Sequence, residues 1–503
     1  MKQNRAKVSL ILATLLTAGI AHADEAQMRK EIESLRAELK SIKSDLSAVK
    51  KISYGDNIKL SADFRYSIDS LIYKHANGKT SSNPDFMSNR LIIGMKYAPT
   101  DNLAFIGDLS YNKAFGDTAE QLQNSANSGY NEFGWVTNES SAVDNSIKVR
   151  QVYFLYRNSN STIPWAASVG RRPSLNGYPV NLRENDEPNS PSGHLINVEF
   201  DGASFKFDLD KISNIAGMYF KLCLGRGMSN AKKHFSLDQA ITPYAKDKTI
   251  HDNVNMIGFV FVPYDDGQYR VFTNFAYAEN VIGFTKKDID NNFHAWKAFR
   301  TAKNSMTAGN AQNFHDLRLK FKDVGNWWGG AITFGSDGIG DGLSDFLDET
   351  KLFVSFAMSG TAPRGGMSML GSDKRKIGYS IYTGVQMPLP FSKGAKFGIE
   401  YNRGSKYWRS FTYGEDTLIG SKLAARGNAY EIYYIQPLVG NMLTMDLRAT
   451  HIRYNYTGSD SYFGHEGRPM SIGEAYALHK KYPIAPIPVE KATDIRLSFR
   501  YRY

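Results

Sequence analysis

The chain has 503 residues, 42% of them apolar and 13% aromatic, with 43 glycines, a single cysteine and a formal net charge of +11. A mean hydropathy of −0.40 and the lack of any run of about 20 apolar residues exclude a helical membrane protein. The lone Cys223 excludes an intramolecular disulfide framework and reads as a small apolar strand residue.

Residues 1–23 have the three parts of a signal peptide: basic Lys2, Arg5 and Lys7, an apolar stretch from Val8 to Ala18, and Ala21-His22-Ala23 as cleavage site. The mature chain is expected to begin at Asp24, outside the cytoplasm, with 58 basic against 50 acidic residues. Export turns this basic excess toward anionic lipid head groups or solutes, with no nucleic-acid partner expected. Without a spanning helix, the membrane form open to such a chain is a barrel.

Residues 24–52 carry a heptad pattern in which Met28, Ile32, Leu35, Leu39, Ile42, Leu46 and Val49 alternate spacings of four and three. With Ile32, Leu39 and Leu46 at position a, acidic Glu31, Glu38 and Asp45 at g face basic Arg36, Lys43 and Lys50 at the following e. The pattern predicts a periplasmic coiled coil whose oligomer seam is Ile32, Leu35, Leu39, Ile42, Leu46 and Val49. Leu39 at a followed by Ile42 at d favours a homotrimer over a dimer. The alternative is one solvated amphipathic helix with the charge pairs within the chain.

From residue 53 to 503 the pattern is all-β. Asn57 to Asp69 sets Ile58, Leu60, Ala62, Phe64, Tyr66 and Ile68 on one face and Lys59, Asp63, Arg65 and Asp69 on the other. Similar segments start near residues 90, 102, 147, 165, 202, 217, 254, 269, 314, 328, 376, 395, 428, 442 and 492, sixteen in all. Short connections rich in Gly, Pro, Asn and Asp (APTD at 98–101, YDDGQ at 264–268, DVGN at 323–326, PLVGN at 437–441) alternate with long ones. The long ones cover roughly 70–88, 113–146, 171–201, 226–253, 279–313, 336–375, 403–427 and 455–491. Seven short turns and eight long loops are what a transmembrane antiparallel β-barrel of sixteen strands requires when both chain ends lie on the periplasmic side. Leu352 to Met358 (LFVSFAM) looks strand-like inside the 336–375 region, which leaves eighteen strands as the alternative.

The last segment, Thr493 to Tyr503, places Thr493, Ile495, Leu497, Phe499, Tyr501 and Tyr503 opposite Asp494, Arg496, Ser498, Arg500 and Arg502. Three arginines on one face are at home in a water-filled lumen, with the apolar face against outer-membrane lipid. The terminal aromatic resembles the closing-strand signature of bacterial outer-membrane barrels, so Phe499, Tyr501 and Tyr503 are the expected signal to the barrel assembly machinery.

The stretches NRLIIGMKYAPTDNLAFIGDLSYNKAFG (89–116), GRRPSLNGYPVNLREN (170–185), SPSGHLIN (190–197), GSDGIGDGLSDFLDET (335–350) and MLGSDKRKIGYSIYTG (369–384) resemble a family of porin-like outer-membrane proteins of Campylobacter-type bacteria. The resemblance implies a signal peptide, a short coiled coil and a barrel in the outer membrane of a Gram-negative cell. It carries no substrate, because that family has no assigned activity.

The third long loop concentrates Arg171, Arg172, Arg183, Glu184, Asp186 and Glu187 among four prolines. In sixteen-stranded general porins the third outer loop folds into the lumen as a constriction, and charged rings at a constriction select ions; the alternative is a solvated surface loop. On inward faces, fourteen basic positions, Arg65, Arg150, Arg448, Arg496 and Arg500 among them, stand against eight acidic ones. That imbalance predicts a mild preference for anions.

No H-E-x-x-H, G-x-S-x-G or phosphate-binding loop occurs, and the cluster Asp337, Asp341, Asp345, Asp348 and Glu349 lacks EF-hand spacing. Neither a metal site nor a cofactor is expected, nor is enzyme activity. The leading reading is an outer-membrane porin-like channel for passive diffusion of small hydrophilic solutes. A non-conducting structural or adhesive barrel and an outer-membrane barrel hydrolase remain the alternatives.

Overall fold

The computed structural model describes residues 58–115, 147–189, 191–231, 242, 244–247, 250–291, 321–340, 342–483 and 485–503. The signal peptide and the heptad seam lie outside them. Sixteen strands follow one another as β1 (Lys59–His75), β2 (Thr80–Tyr97), β3 (Leu103–Ala114), β4 (Lys148–Asn158), β5 (Trp165–Ser174), β6 (Val198–Asp208), β7 (Tyr219–Met228) and β8 (Val254–Asp265). They continue as β9 (Tyr269–Gly283), β10 (Lys322–Asp337), β11 (Lys351–Pro363), β12 (Ile377–Pro388), β13 (Lys396–Gly404), β14 (Gly427–Val439), β15 (Leu443–Tyr454) and β16 (Val489–Arg502). Each pairs with its sequence neighbours, and β1 closes on β16 from Asp63↔Arg502 to His75↔Val489, giving a closed antiparallel barrel of sixteen strands.

Closure leaves no edge, and it sorts side chains by period two. Along β16, Asp494, Arg496, Ser498 and Arg500 are buried within, whereas Ile495, Phe499 and Tyr501 are exposed outside, as the alternation predicts. Phe64, Phe154, Ile257, Phe356 and Ile432 on the outer surface are between 41% and 48% exposed. An apolar surface that encircles the barrel is far beyond what a water-soluble monomer presents. Among the described residues no helix is long and apolar enough to cross a membrane.

Three boundaries depart from the sequence reading. The first long loop, expected at 70–88, shrinks to residues 76–79, because β1 and β2 keep pairing up to Lys74↔Thr80 around a turn at Gly78 with φ +80°. DVGN at 323–326 is no turn but part of β10. Gly325, at φ +150°, marks a bulge where pairing with β9 shifts register, and a side chain there would strike the Ala362 carbonyl. LFVSFAM, read as loop in the sixteen-strand count, is the heart of β11. The number sixteen therefore holds with different members, since the segment expected from residue 314 lies largely outside the described residues.

Candidate functional site

The connection between β5 and β6, residues 175–197, turns into the barrel. Its Leu175, Val180 and Leu195 are 0–1% exposed. Arg171 and Arg172, expected at its start, belong instead to β5: Arg171 approaches Glu199 at 3.6 Å, and Arg172 donates to Ser168 and Ser204 and lies over the Tyr153 ring. Tyr178 packs with Phe353 of β11 and Tyr382 of β12, close enough to Gly335 that a side chain there would overlap the Tyr178 hydroxyl. Gln386 Nε2 donates to the Leu182 carbonyl at 2.7 Å and Lys396 Nζ to Asn185 Oδ1 at 2.6 Å, fixing the loop to the β12–β13 wall.

So fastened, a 3-10 turn at Val180–Glu184 points its charges at the opposite wall. Glu184 lies 3.1 Å from Arg500, 3.4 Å from Arg448, 3.6 Å from Arg65 and 3.9 Å from Arg90, guanidiniums carried by β16, β15, β1 and β2. Asp186 accepts from Arg500 at 2.9 Å and Arg502 at 2.7 Å. Glu187, also expected at the constriction, is exposed and lines the adjoining cavity.

A second loop, residues 405–426 between β13 and β14, completes the cluster. Asp416 accepts from Arg65 and from Arg496 at 3.0 Å, with Arg448 at 3.8 Å and Arg90 at 3.9 Å. Arg183 sits between Glu415 at 3.1 Å and Glu431 at 3.2 Å, and Lys422 between Glu400 and Glu431. Burial alone would raise the Glu184 carboxyl, but Arg65, Arg500 and Arg90 hold it down at about 2; Asp416, likewise buried, is held well below the ordinary range by Arg496, Arg65 and Arg448. These ions are tolerable indoors because each has a counter-charge; removing one partner would strand the others.

The other half of the lumen is dry. Leu195 and Ile196 from the first loop, Trp408 and Phe411 from the second, and Phe463 from the β15–β16 connection pack on Met256, Ala276, Trp327 and Ala357 of the wall. Trp327 meets Phe411 at 4.7 Å between ring centres and donates Nε1–H to the Arg409 carbonyl at 3.0 Å. Between the dry half and the β1–β4 wall remains a cavity of about 740 Å³ lined by Asp63, Arg90, Asp108, Arg150, Glu184 and Arg500. Arg150 and Gln151 both donate to Asp108, because a bulge at β4 turns two consecutive residues to one side.

Of the sequence candidates, the structure brings Arg65, Arg183, Glu184, Asp186, Arg448, Arg496 and Arg500 together and sets Arg150 on the cavity wall; Glu415, Asp416, Lys422 and Glu431, which join them, were not among the candidates. The available signal was Trp408, Phe411 and Tyr413: three aromatics in a loop that would otherwise face water. Phe499, Tyr501 and Tyr503 face outward at the closing strand, and the Tyr503 and Ala62 backbones bond each other at 2.9 Å.

A family model described as "Protein of unknown function (DUF3373)" matches residues 80–503. Comparison with curated proteins returns no match. Among solved structures the chain is similar to the anion-selective porin from Comamonas acidovorans, at 9% identity and TM-score 0.47 over 89% of this chain and 99% of that one. It is also similar to Pseudomonas putida OprB, at 10% identity and TM-score 0.47 over 91% and 96%. A third similarity is to Salmonella typhi OmpF, at 9% identity and TM-score 0.43 over 89% and 99%.

Proposed function

The chain belongs to the DUF3373 family, and from its lumen we propose that it is an outer-membrane channel through which small hydrophilic solutes diffuse passively. The observation that carries the reading is the cavity of about 740 Å³ lined by charges of both signs inside a barrel whose outer surface is apolar. Six inward arginines, Arg65, Arg90, Arg183, Arg448, Arg496 and Arg500, are matched by carboxylates and contribute little net potential. The mild anion preference is assigned instead to the β4–β7 wall, where Arg150, Arg172, Lys206 and Lys221 face Asp108 and Asp208.

The channel reading includes export by the signal peptide, folding by the barrel assembly machinery through Phe499, Tyr501 and Tyr503, and a homotrimer joined by the seam at Ile32 to Val49. It gives His194 no hydrolytic role. His194 contacts serine hydroxyls on both nitrogens, Ser355 at 2.8 Å and Ser380 at 2.9 Å, but it is fully buried. Burial pushes its imidazole down to about 3, leaving a neutral ring with no solvent-facing edge to act on a substrate.

Planar-bilayer recording of the purified full chain tests the reading. Discrete conductance steps are expected, with a reversal potential favouring anions at low salt and fading toward 1 M, as the Debye length falls to about 3 Å. A silent bilayer containing correctly folded protein would transfer the assignment to the structural or adhesive barrel.

A further inference from the structure

We propose that the outer face of β13, β14, β15, β16 and β1 carries a binding site for anionic, phosphate-bearing lipid head groups, at the barrel end where the long loops emerge. The proposal rests on the membrane reading above and extends it to one sector of the barrel. Three consecutive outward rows, each joined by backbone pairing, change chemistry in step. The first is apolar: Ile399, Ile432, Ala449 and Ile495. The second, one outward position closer to the long loops, is Tyr401, Tyr430, His451 and Thr493. Tyr401 and Tyr430 rings lie 5.2 Å apart, and His451 bonds Thr493 at 2.8 Å. The third row is Arg403, Asn428, Arg453 and Lys491, continued on β1 by Lys74, which pairs with Lys491.

This is the order in which a bilayer changes from hydrocarbon through interface to head group. Tyrosines settle at the interface, with an apolar ring and a hydroxyl that needs water. Cations one row beyond them stand at phosphate depth. Among the described residues no carboxylate pairs with Arg403, Arg453, Lys491 or Lys74. Glu490 shares a surface groove with Arg453 and offsets one of the four charges. The corresponding row on β7, β8 and β9 is Arg226, Asn255 and Glu279, which is neutral. The positive character is therefore local to one sector, where guanidinium and ammonium groups present donors to a phosphate anion.

Native mass spectrometry of the full-length protein in a neutral detergent, titrated with phosphatidylglycerol or with phosphatidylcholine of the same acyl chains, reads this directly. Retention of phosphatidylglycerol over phosphatidylcholine is expected. In R453S/K491S it should fall about tenfold or more, on a scale of about fivefold per surface cation. The double variant K211S/K393S, on the short-connection end, removes the same charge elsewhere and should leave retention unchanged. Equal loss in both variants, or no headgroup preference in the wild type, overturns the site. Bilayer conductance of R453S/K491S separates this from the channel reading: normal steps with lost lipid retention support the site, normal steps with retention intact refute it, and silence of the wild type refutes the channel instead.

Discussion

The two halves of the lumen solve the same problem with opposite chemistry. Toward β8–β11 the infolded loops meet the wall through Trp327, Trp408, Phe411 and Phe463; toward β15, β16, β1 and β2 the same loops meet it through Glu184 and Asp416 against a bank of arginines. The dry half gains from area removed from water. The charged half gains little net free energy once desolvation is counted, but each of its pairings demands one partner at one place. The apolar half supplies adhesion, whereas the charged half fixes where the loops sit and keeps a polar cavity beside them.

The largest effect should come from emptying the dry half. Trp327→Ala removes the largest wholly buried side chain on that wall and should cost about 3–5 kcal/mol, read as a lower midpoint in urea unfolding from lipid vesicles. If the apolar packing is what blocks that side, single-channel conductance should rise as well; unchanged conductance would show that the loops stay in place without it.

Asp416→Asn should cost somewhat less, about 3 kcal/mol, since it leaves Arg65 and Arg496 short of a counter-charge. Its distinguishing readout is selectivity. An uncompensated positive wall beside the cavity should shift the reversal potential toward anions, and a shift toward cations would overturn the pairing described here.

Acid should act on the charged half through Glu184. Glu184 is held at about 2, below its ordinary 4.5, so its stabilising contribution is complete above the ordinary value and drains as pH falls from there toward about 2. The unfolding midpoint should be level, as far as this group is concerned, from pH 7 to 5 and then decline. Glu184→Gln should lower the plateau and flatten that acid limb, whereas Trp327→Ala should lower the whole curve without changing its slope.

The smallest effect is expected from Glu187→Gln. Its side chain is exposed at the rim of the cavity, so stability should move by less than about 0.5 kcal/mol. Only the weak anion preference should strengthen.

How much of this was legible depends on the range over which each feature is decided. The inward arginines of β1, β15 and β16 were readable because period two is a property of a few consecutive residues. The four residues of DVGN were misread because Asp, Gly and Asn signal a turn and a bulge alike, and only pairing with β9 and β11 decides between them. Asp416 escaped notice because no local pattern marks a loop carboxylate that will meet Arg496, eighty positions away.

The sequence by itself determined the barrel: alternating faces, the count of sixteen and the outward aromatics of the closing strand. Each follows from how one residue partitions between an apolar exterior and a polar interior, a choice made strand by strand. Only the tertiary structure decided that residues 175–197 and 405–426 turn inward, that half of the lumen is filled with a dry core, and that the arginines are matched rather than free. Those outcomes depend on closure of β1 against β16, which brings charges hundreds of residues apart into a space where burial makes an unpaired ion prohibitively costly.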